Sequence, residues 1–133
     1  MSVYLIGTLD TKGAEIAFVR DELRSLGVDV KVVDGSCLGD PEFVADISRE
    51  MVYAAAGTTL DEVRTKHDRG HAVTTAAQGA SRLIRERYDA GKVSGVIGLG
   101  GSAGSTIGTA AMRMLPIGVP KLMASTLASG QVR

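Results

Sequence analysis

Four short apolar runs are spaced along the chain, and each predicts a β-strand. They lie at 3–7, 28–34, 94–99 and 121–124. The first is continuously apolar, which is typical of a buried strand, whereas the second alternates valine with charged residues and ends at Asp34, as a strand near a sheet edge does. The intervals between the runs carry helical signals, so strands and helices alternate from one end of the chain to the other.

The first two strands are followed by helices with polar amino ends. The segment 8–13 has the composition of a polar turn, and Asp10 or Thr11 can cap the helix that continues from it to Gly27. Asp46 can cap a second helix in the same way. Each cap would place a side-chain oxygen on amides that a helix leaves unpaired in its first turn.

The longest stretch with helical periodicity lies between Gly70 and Gly91, where apolar side chains recur on one face. Thr59 and Glu62 have the spacing of a capping box for a short helix before it, and a last helix is expected at 105–115. The alternation predicts a single α/β domain with a doubly wound, mostly parallel open sheet of Rossmann-like type, in strand order 2-1-3-4.

Composition excludes several function classes. The 133 residues include 15 basic and 15 acidic side chains, and this balance argues against binding to nucleic acid or to an acidic membrane surface. The lone Cys37 cannot form an internal disulfide, and the chain does not start like a signal peptide, so a cytoplasmic location is expected. The uncharged segment 93–112 has the length of a membrane span, but more than half of it is glycine, serine or threonine.

The run 96–106 is the strongest chemical signal, because an apolar strand leads through glycines and hydroxyl residues into a helix. Glycine lets the backbone approach a ligand closely, and the helix that follows offers unpaired amides and the positive end of its dipole. No acidic residue follows Asp89, so the local field favours an anion, and phosphate is the natural ligand.

A second loop joins the same site in the predicted topology. The carboxyl ends of strands one and three are neighbours where the winding reverses, and ligands of open α/β sheets bind there. Lys12 would add a point charge, and Asp10 a magnesium ligand. The candidate nucleotide or phosphate ligands are Thr8, Asp10, Thr11, Lys12, Gly100, Gly101, Ser102, Gly104, Ser105, Thr106, Lys121, Ser125 and Thr126.

The motif by itself leaves alternatives open. Gly98, Gly100 and Ala103 fit the dinucleotide fingerprint formally, but the acidic residue that the fingerprint requires about 20 positions later is missing. Neither glycine-containing loop, at 7–13 or at 98–106, ends in the Gly-Lys-Ser or Gly-Lys-Thr of a Walker motif, and this excludes an ordinary P-loop. A tight strand-to-helix turn without a ligand explains the same residues. Lys12 and Asp10 can likewise be the solvated start of a helix.

Several motifs, in order, resemble the ATP-binding family named for a tomato mosaic virus resistance protein. The resemblance implies an amino-terminal α/β nucleotide-binding domain, ATP as its ligand, and a barrel-like second domain that this chain lacks. It also implies that the sheet is incomplete at the carboxyl end, through truncation or because a separate chain supplies the rest. The resemblance is carried by residues 7–13, 98–104, 111–123, 125–126 and 128–130.

Three departures from the family pattern are visible. Ala103 stands where glycine is usual and Ser105 where threonine is usual. Both residues keep the glycine bend, which is the loop at 100–106, small. Gln131 replaces a usual aspartate. The leading functional hypothesis is an ATP-binding domain with a regulatory or conformational role. The alternatives are the anion-binding half of an enzyme that acts on a phosphorylated or carboxylate metabolite, and a protein-interaction module whose glycine bend is structural. Whether the chain is enzymatic stays open, because no catalytic constellation is apparent, and a homo-oligomer is a further expectation.

Overall fold

The computed structural model describes residues 1–125, which form one four-stranded parallel sheet. The strands are β1 (Ser2–Gly7), β2 (Val30–Asp34), β3 (Val93–Gly100) and β4 (Lys121–Ser125), and the helices are α1 (Leu9–Ser25), α2 (Arg49–Ala55), α3 (Leu60–Thr65), α4 (Arg69–Asp89) and α5 (Ser102–Arg113). The strand order is β2-β1-β3-β4. The predicted α/β class, the parallel sheet and the order 2-1-3-4 are therefore confirmed, and β2 lies at an edge as its alternating sequence predicts.

Side chains of the central strand β1 point alternately into two cores. Leu5 lies in the core beneath α1, together with Ile16 and Val32. Tyr4 and Ile6 lie on the opposite face, in the core formed with α2, α4 and α5. This alternation is the two-residue period of a strand, and it explains why both faces of an open parallel sheet need apolar residues.

Helix α5 lies directly against β3 because glycines meet at their contact. A Cβ added at Gly98 would lie 3.3 Å from the Cα of Gly108. A Cβ added at Gly104 would lie 2.7 Å from the carbonyl oxygen of Leu99. The segment 93–112 is thus a strand followed by a helix, and within residues 1–125 none of the helices has the length and apolar composition needed to cross a bilayer.

The predicted polar turn at 8–13 is wrong, because α1 already begins at Leu9 with Thr8 as its N-cap. Neither Asp10 nor Thr11 caps the helix. The amide of Leu9 instead donates to Asp34 Oδ1 at the end of β2, at 3.1 Å. A contact from a distant strand therefore starts the helix earlier than the local sequence indicates, and non-helical dihedral angles at Lys12 then kink it.

Two other helix starts differ from the prediction. Ser48, rather than Asp46, caps α2 by accepting a hydrogen bond from the amide of Met51 at 3.3 Å. Asp46 Oδ2 accepts from the amide of Val32 at 2.7 Å and so supports the edge strand. Helix α5 starts at Ser102, three residues before the predicted start, whereas the Thr59 cap of α3 is confirmed.

Candidate functional site

A crevice opens at the carboxyl ends of β1 and β2, where the loops after these strands meet the amino ends of α1, α4 and α5. The winding of the sheet reverses between β1 and β3, and the crevice reaches this point because both Thr8, after β1, and Ala103, after β3, line it. The crevice is lined by Thr8, Asp10, Thr11, Gly35, Ser36, Cys37, Leu38, Tyr53, Arg69, Ala72, Val73 and Ala103. An adjoining depression is lined by Arg69, Gly70, Val73, Thr74, Ser102, Ala103 and Thr106.

The amino end of α5 presents open backbone amides at this place. Gly100 ends β3 with a φ of 150°, a conformation that favours glycine, and Gly101 is the N-cap of α5. Within residues 1–125, no hydrogen-bond acceptor is found for the amides from Gly101 to Gly104, and the first paired amide is that of Ser105, which donates to the Gly101 carbonyl at 3.0 Å. The bend is therefore able to accept an anion on its main chain.

Gly101 differs from the other glycines of the bend. Among residues 1–125, no atom lies within 4 Å of a Cβ added there, so no packing contact with the described residues requires glycine at this position. Gly100 and Gly104 are crowded, since a Cβ at Gly100 would lie 3.1 Å from the Cα of Gly104. Packing accounts for the crowded pair, whereas the described part of the chain places no atom against a side chain at Gly101.

The hydroxyl groups of the bend have different roles. Ser102 is exposed and lines the depression. The Thr106 hydroxyl lines it as well but donates to the Ser102 carbonyl at 2.9 Å, within the helix. The Ser105 Oγ is buried and has no hydrogen-bond partner among the residues that the structure describes. Because a buried hydroxyl without a partner is unfavourable, Ser105 is the polar group of the bend whose environment is incomplete.

The N-cap and first turn of α1 contribute polar groups to the opposite wall of the crevice. Thr8 and Thr11 share a hydrogen bond between their hydroxyl oxygens at 2.8 Å. Asp10 Oδ2 accepts from the amide of Gly39 at 3.0 Å. Within residues 1–125, no group of three or more His, Cys, Asp or Glu side chains could hold a metal. A cation near Asp10 would therefore also need oxygen atoms from a bound phosphate or from water. Lys12 is half-buried at the kink and does not line the crevice.

The loop after β2 forms a further wall, and charged side chains from three elements hold it. Asp34 is almost fully buried, and its Oδ1 accepts from the amide of Ser36 at 2.9 Å as well as from α1. Arg49 is buried and donates to the carbonyl oxygen of Gly39. Arg64 donates to the carbonyl oxygen of Cys37 at 2.8 Å. The wall of the crevice is therefore fixed by specific hydrogen bonds.

Tyr53 closes the inner side of the crevice. Its hydroxyl donates to the Ala72 carbonyl at 3.5 Å, and burial, with the neighbouring Cys37 as a further cause, raises the pKa of this phenol far above its ordinary value. Tyr53 is thus a neutral phenol at physiological pH and cannot serve there as a base.

Some predicted site residues do not reach the crevice. Lys121 begins β4 and pairs with Val96, so it lies toward the amino ends of the parallel strands, and its Nζ donates to the Pro116 carbonyl at 2.6 Å. Ser125 ends β4 and pairs through its backbone with Gly100, beside the bend. Thr126 lies outside the described residues.

The comparison with known proteins places this chain among its relatives. All residues from 1 to 133 match the family model described as "Uncharacterised protein family (UPF0261) N-terminal domain". The chain belongs to this family. UPF0261 proteins from Clostridium tetani and Rhizobium meliloti are 36% and 39% identical to it over 131 and 130 residues, and each alignment covers 98% of this chain and 32% of the relative.

A tomato relative from Solanum lycopersicum, the ToMV susceptible protein tm-1(GCR26), is 35% identical over 147 aligned residues, which cover 97% of this chain and 19% of the tomato protein. The resemblance drawn from the motifs is therefore confirmed. The chain spans about a third of the length of the bacterial UPF0261 relatives and about a fifth of the tomato one.

The sequence analysis missed the arginines around the crevice. Arg49 is the first residue of α2 and Arg64 lies within α3, and neither belongs to a recognisable sequence motif. Both donate to carbonyl groups of the loop after β2, which is distant from them in sequence. Arg69 follows the N-cap Asp68 of α4, and this cap is the one local signal that marks its position. Only the tertiary structure brings Arg69 to the same depression as Ser102.

Proposed function

We propose that this chain is a cytoplasmic nucleotide-binding domain that holds ATP by its phosphates at the amino end of α5. The observation that carries the proposal is the row of amides from Gly101 to Gly104. Among the described residues these amides have no acceptor, and no atom lies within 4 Å of a Cβ added at Gly101. Amides at a helix start bind phosphate through hydrogen bonds and through the positive end of the helix dipole.

The position of this helix start supports the proposal. The glycine contacts between β3 and α5 hold the helix against the sheet, and Ala103 in its first turn lines the crevice. A nucleotide placed there would have its phosphates on α5 and the rest of the molecule along the loops after β1 and β2. Open α/β sheets bind their ligands in this place.

Asp10 fits a magnesium ion that arrives with the nucleotide. Magnesium usually binds through one or two carboxylates together with phosphate oxygens and water. Asp10 lines the crevice, and the hydrogen bond from Gly39 uses its Oδ2 atom. The ion would neutralise phosphate charge. The role proposed for the domain is regulatory or conformational, because Tyr53 is neutral and the crevice contains no paired nucleophile and base among the described residues.

Thermal unfolding with and without Mg-ATP tests the proposal. The unfolding temperature of the unmodified chain is expected to rise with ATP concentration, since a ligand at 100 times its Kd stabilises a fold by about 2.7 kcal/mol. Gly101→Asp is expected to unfold at or above the normal temperature without ATP, because aspartate is a favourable N-cap, but to show no rise with ATP. Its carboxylate would occupy the amides and repel phosphate.

Gly118→Asp is the matched control, because Gly118 also lies in open space and receives the same charge far from the bend. This variant should keep the full response to ATP. No response in the unmodified chain, or an equal response in the Gly101→Asp variant, would contradict the proposal. A larger response to a sugar phosphate or a carboxylate metabolite than to ATP would favour the enzymatic alternative.

A further inference from the structure

We infer that the segment 37–41 is a gate, which a contact from Arg64 holds shut, and that its opening joins the crevice to a neighbouring cavity. The juxtaposition that carries the inference is a wall, formed in part by Cys37 and Leu38, between two unequal spaces. The inference goes beyond the proposed function, because it concerns access to the crevice and holds for any ligand.

The two spaces differ in size. The crevice encloses about 50 Å³, whereas the cavity beside it encloses about 390 Å³. Pockets for small molecules usually measure roughly 300–1,000 Å³, so the crevice by itself has room for only a few water molecules. A small molecule therefore fits the crevice only after part of its wall has moved.

The gate is the part of the shared wall that lies outside regular secondary structure. The residues that line both spaces are Cys37, Leu38, Arg69 and Ala72. Arg69 and Ala72 belong to the long helix α4, whereas Cys37 and Leu38 belong to the gate, which contains no helix or strand. Movement of the gate would therefore merge the two spaces while α4 stays in place.

The gate is weakly attached to the rest of the fold. Its residues 38–41 are exposed, and Cys37 is half-buried. Within residues 1–125, no backbone-to-backbone hydrogen bond involves the gate. Leu38 is 66% exposed, so closing the gate buries little apolar surface. Segments with few buried contacts open locally at low free-energy cost while the rest of the protein stays folded.

Arg64 is the latch of the gate. Its Nε donates to the Cys37 carbonyl at 2.8 Å, and its Nη2 donates to the Leu38 carbonyl at 3.2 Å. Arg64 belongs to α3, which the buried Val63 anchors in the core, so the latch projects from a fixed element. Arg64 itself is exposed, and water therefore competes for both contacts.

Gly39, at the centre of the gate, is held separately. Its amide donates to Asp10 Oδ2 at 3.0 Å, and its carbonyl oxygen accepts from Arg49. These two contacts fix the peptide groups of Gly39 and not those of the two wall residues. Arg64 therefore controls the wall between the spaces, and Asp10 and Arg49 limit how far the gate opens.

Other contacts confine the movement to the gate. On one side of it, the amide of Ser36 donates to the buried Asp34 at 2.9 Å. On the other side, the amide of Glu42 donates to the Leu9 carbonyl at 3.2 Å. The segment between these two fixed points can therefore open without disturbing the sheet.

Labelling of Cys37 with dithiobisnitrobenzoate, a bulky and anionic aromatic disulfide, tests the inference. Cys37 is the single cysteine of the chain and lies in the gate, so the reaction reports on this position alone. The unmodified chain should react much more slowly than the urea-unfolded chain. Arg64→Gln should react about 5- to 10-fold faster than the unmodified chain, as expected for the loss of one hydrogen bond. Arg64→Lys should react at an intermediate rate, because lysine can still hold one carbonyl group.

Arg82→Gln is the matched control. Arg82 is also exposed and donates to a carbonyl oxygen, that of Ala55 at 2.9 Å, but it holds the end of α2 instead of the gate. This variant should react at the rate of the unmodified chain. Removal of Arg64 also removes a positive charge, which by itself slows the reaction of a thiolate with an anionic reagent, so charge does not explain a faster reaction in Arg64→Gln.

The labelling rates are compared with the unfolding free energy of each variant in urea. Reaction through the gate should depend little on low urea concentrations, because the gate exposes little surface when it opens. Equal rates in Arg64→Gln and the unmodified chain, or an equal gain in Arg82→Gln, would overturn the latch. A rate in the unmodified chain that matches the unfolded chain, or that rises with urea as global unfolding does, would overturn the gate itself. The assay contains no nucleotide, so a failure of ATP binding leaves its result intact.

Discussion

Gly104→Ala is the substitution that best tests the packing role of the glycine bend. Gly104 is buried in the first turn of α5. An added Cβ would lie 2.7 Å from the carbonyl oxygen of Leu99 and 3.3 Å from its carbonyl carbon. Both atoms belong to the backbone of β3, so no side chain can move aside to make room.

The cost follows from the size of this overlap. Ordinary contact begins at about 3.4 Å, so the helix must retreat from the strand by roughly 0.7 Å. Overpacking of this kind lowers the free energy of unfolding by about 1–3 kcal/mol. The higher helix propensity of alanine relative to glycine offsets up to about 1 kcal/mol of this loss. The net loss in unfolding free energy is expected to be about 1–2 kcal/mol, which lowers the unfolding temperature of a chain of this length by roughly 4–10 °C.

Urea unfolding followed by circular dichroism measures this loss. Gly101→Ser is the matched control, because it adds a side chain to the same bend at a position where no atom of residues 1–125 lies within 4 Å, and serine is a favourable N-cap. We expect this variant to retain the normal unfolding free energy. Equal losses in the two variants, or normal stability in Gly104→Ala, would refute the packing argument.

Two further predictions concern the ends of β2 and β1. Asp34→Ala should lower the unfolding free energy by about 2–4 kcal/mol in urea, because it leaves two buried amides without an acceptor, whereas the exposed Asp40→Ala should have little effect. The hydrogen bond from Ser2 lowers the pKa of Asp29 below 3.8, so its stabilisation is present above that pH and is lost as the pH falls through the lowered value. Ser2→Ala should therefore destabilise the chain more at pH 7 than at a pH below the lowered pKa of Asp29, and equal losses in urea unfolding on the two sides of that pKa would contradict this.

The sheet could be predicted from the sequence because its order follows from local patterns and general rules of chain connection. Apolar runs separated by helices leave few arrangements, and the observed order β2-β1-β3-β4 is one of them. Helix starts were less predictable. The acceptor that starts α1 is Asp34, on a strand that follows the helix in the chain, so the local composition at 8–13 indicated a turn.

The candidate site likewise has a part that the local sequence predicts and a part that depends on contacts between distant residues. The bend between β3 and α5 is local, and its form could be predicted from one stretch of sequence. Lys121 was a candidate because it opens an otherwise apolar strand, where a buried lysine would need a partner. Its partner is the Pro116 carbonyl, and parallel strands place the start of β4 toward the opposite end of the sheet. Arg69 is far from the bend in sequence and beside it in the structure.

The packing explanation and the binding explanation of the glycine motif support each other. The contacts of Gly98, Gly104 and Gly108 set the distance and direction of α5 relative to β3, and these contacts bring the first turn of α5 to the crevice. Within residues 1–125, Gly101 has no part in this packing. A substitution at a packing glycine should therefore change stability and ATP binding together, because it moves the helix start. A charged residue at Gly101 should abolish binding while the fold remains, so the two kinds of glycine can be told apart by measuring both properties in each variant.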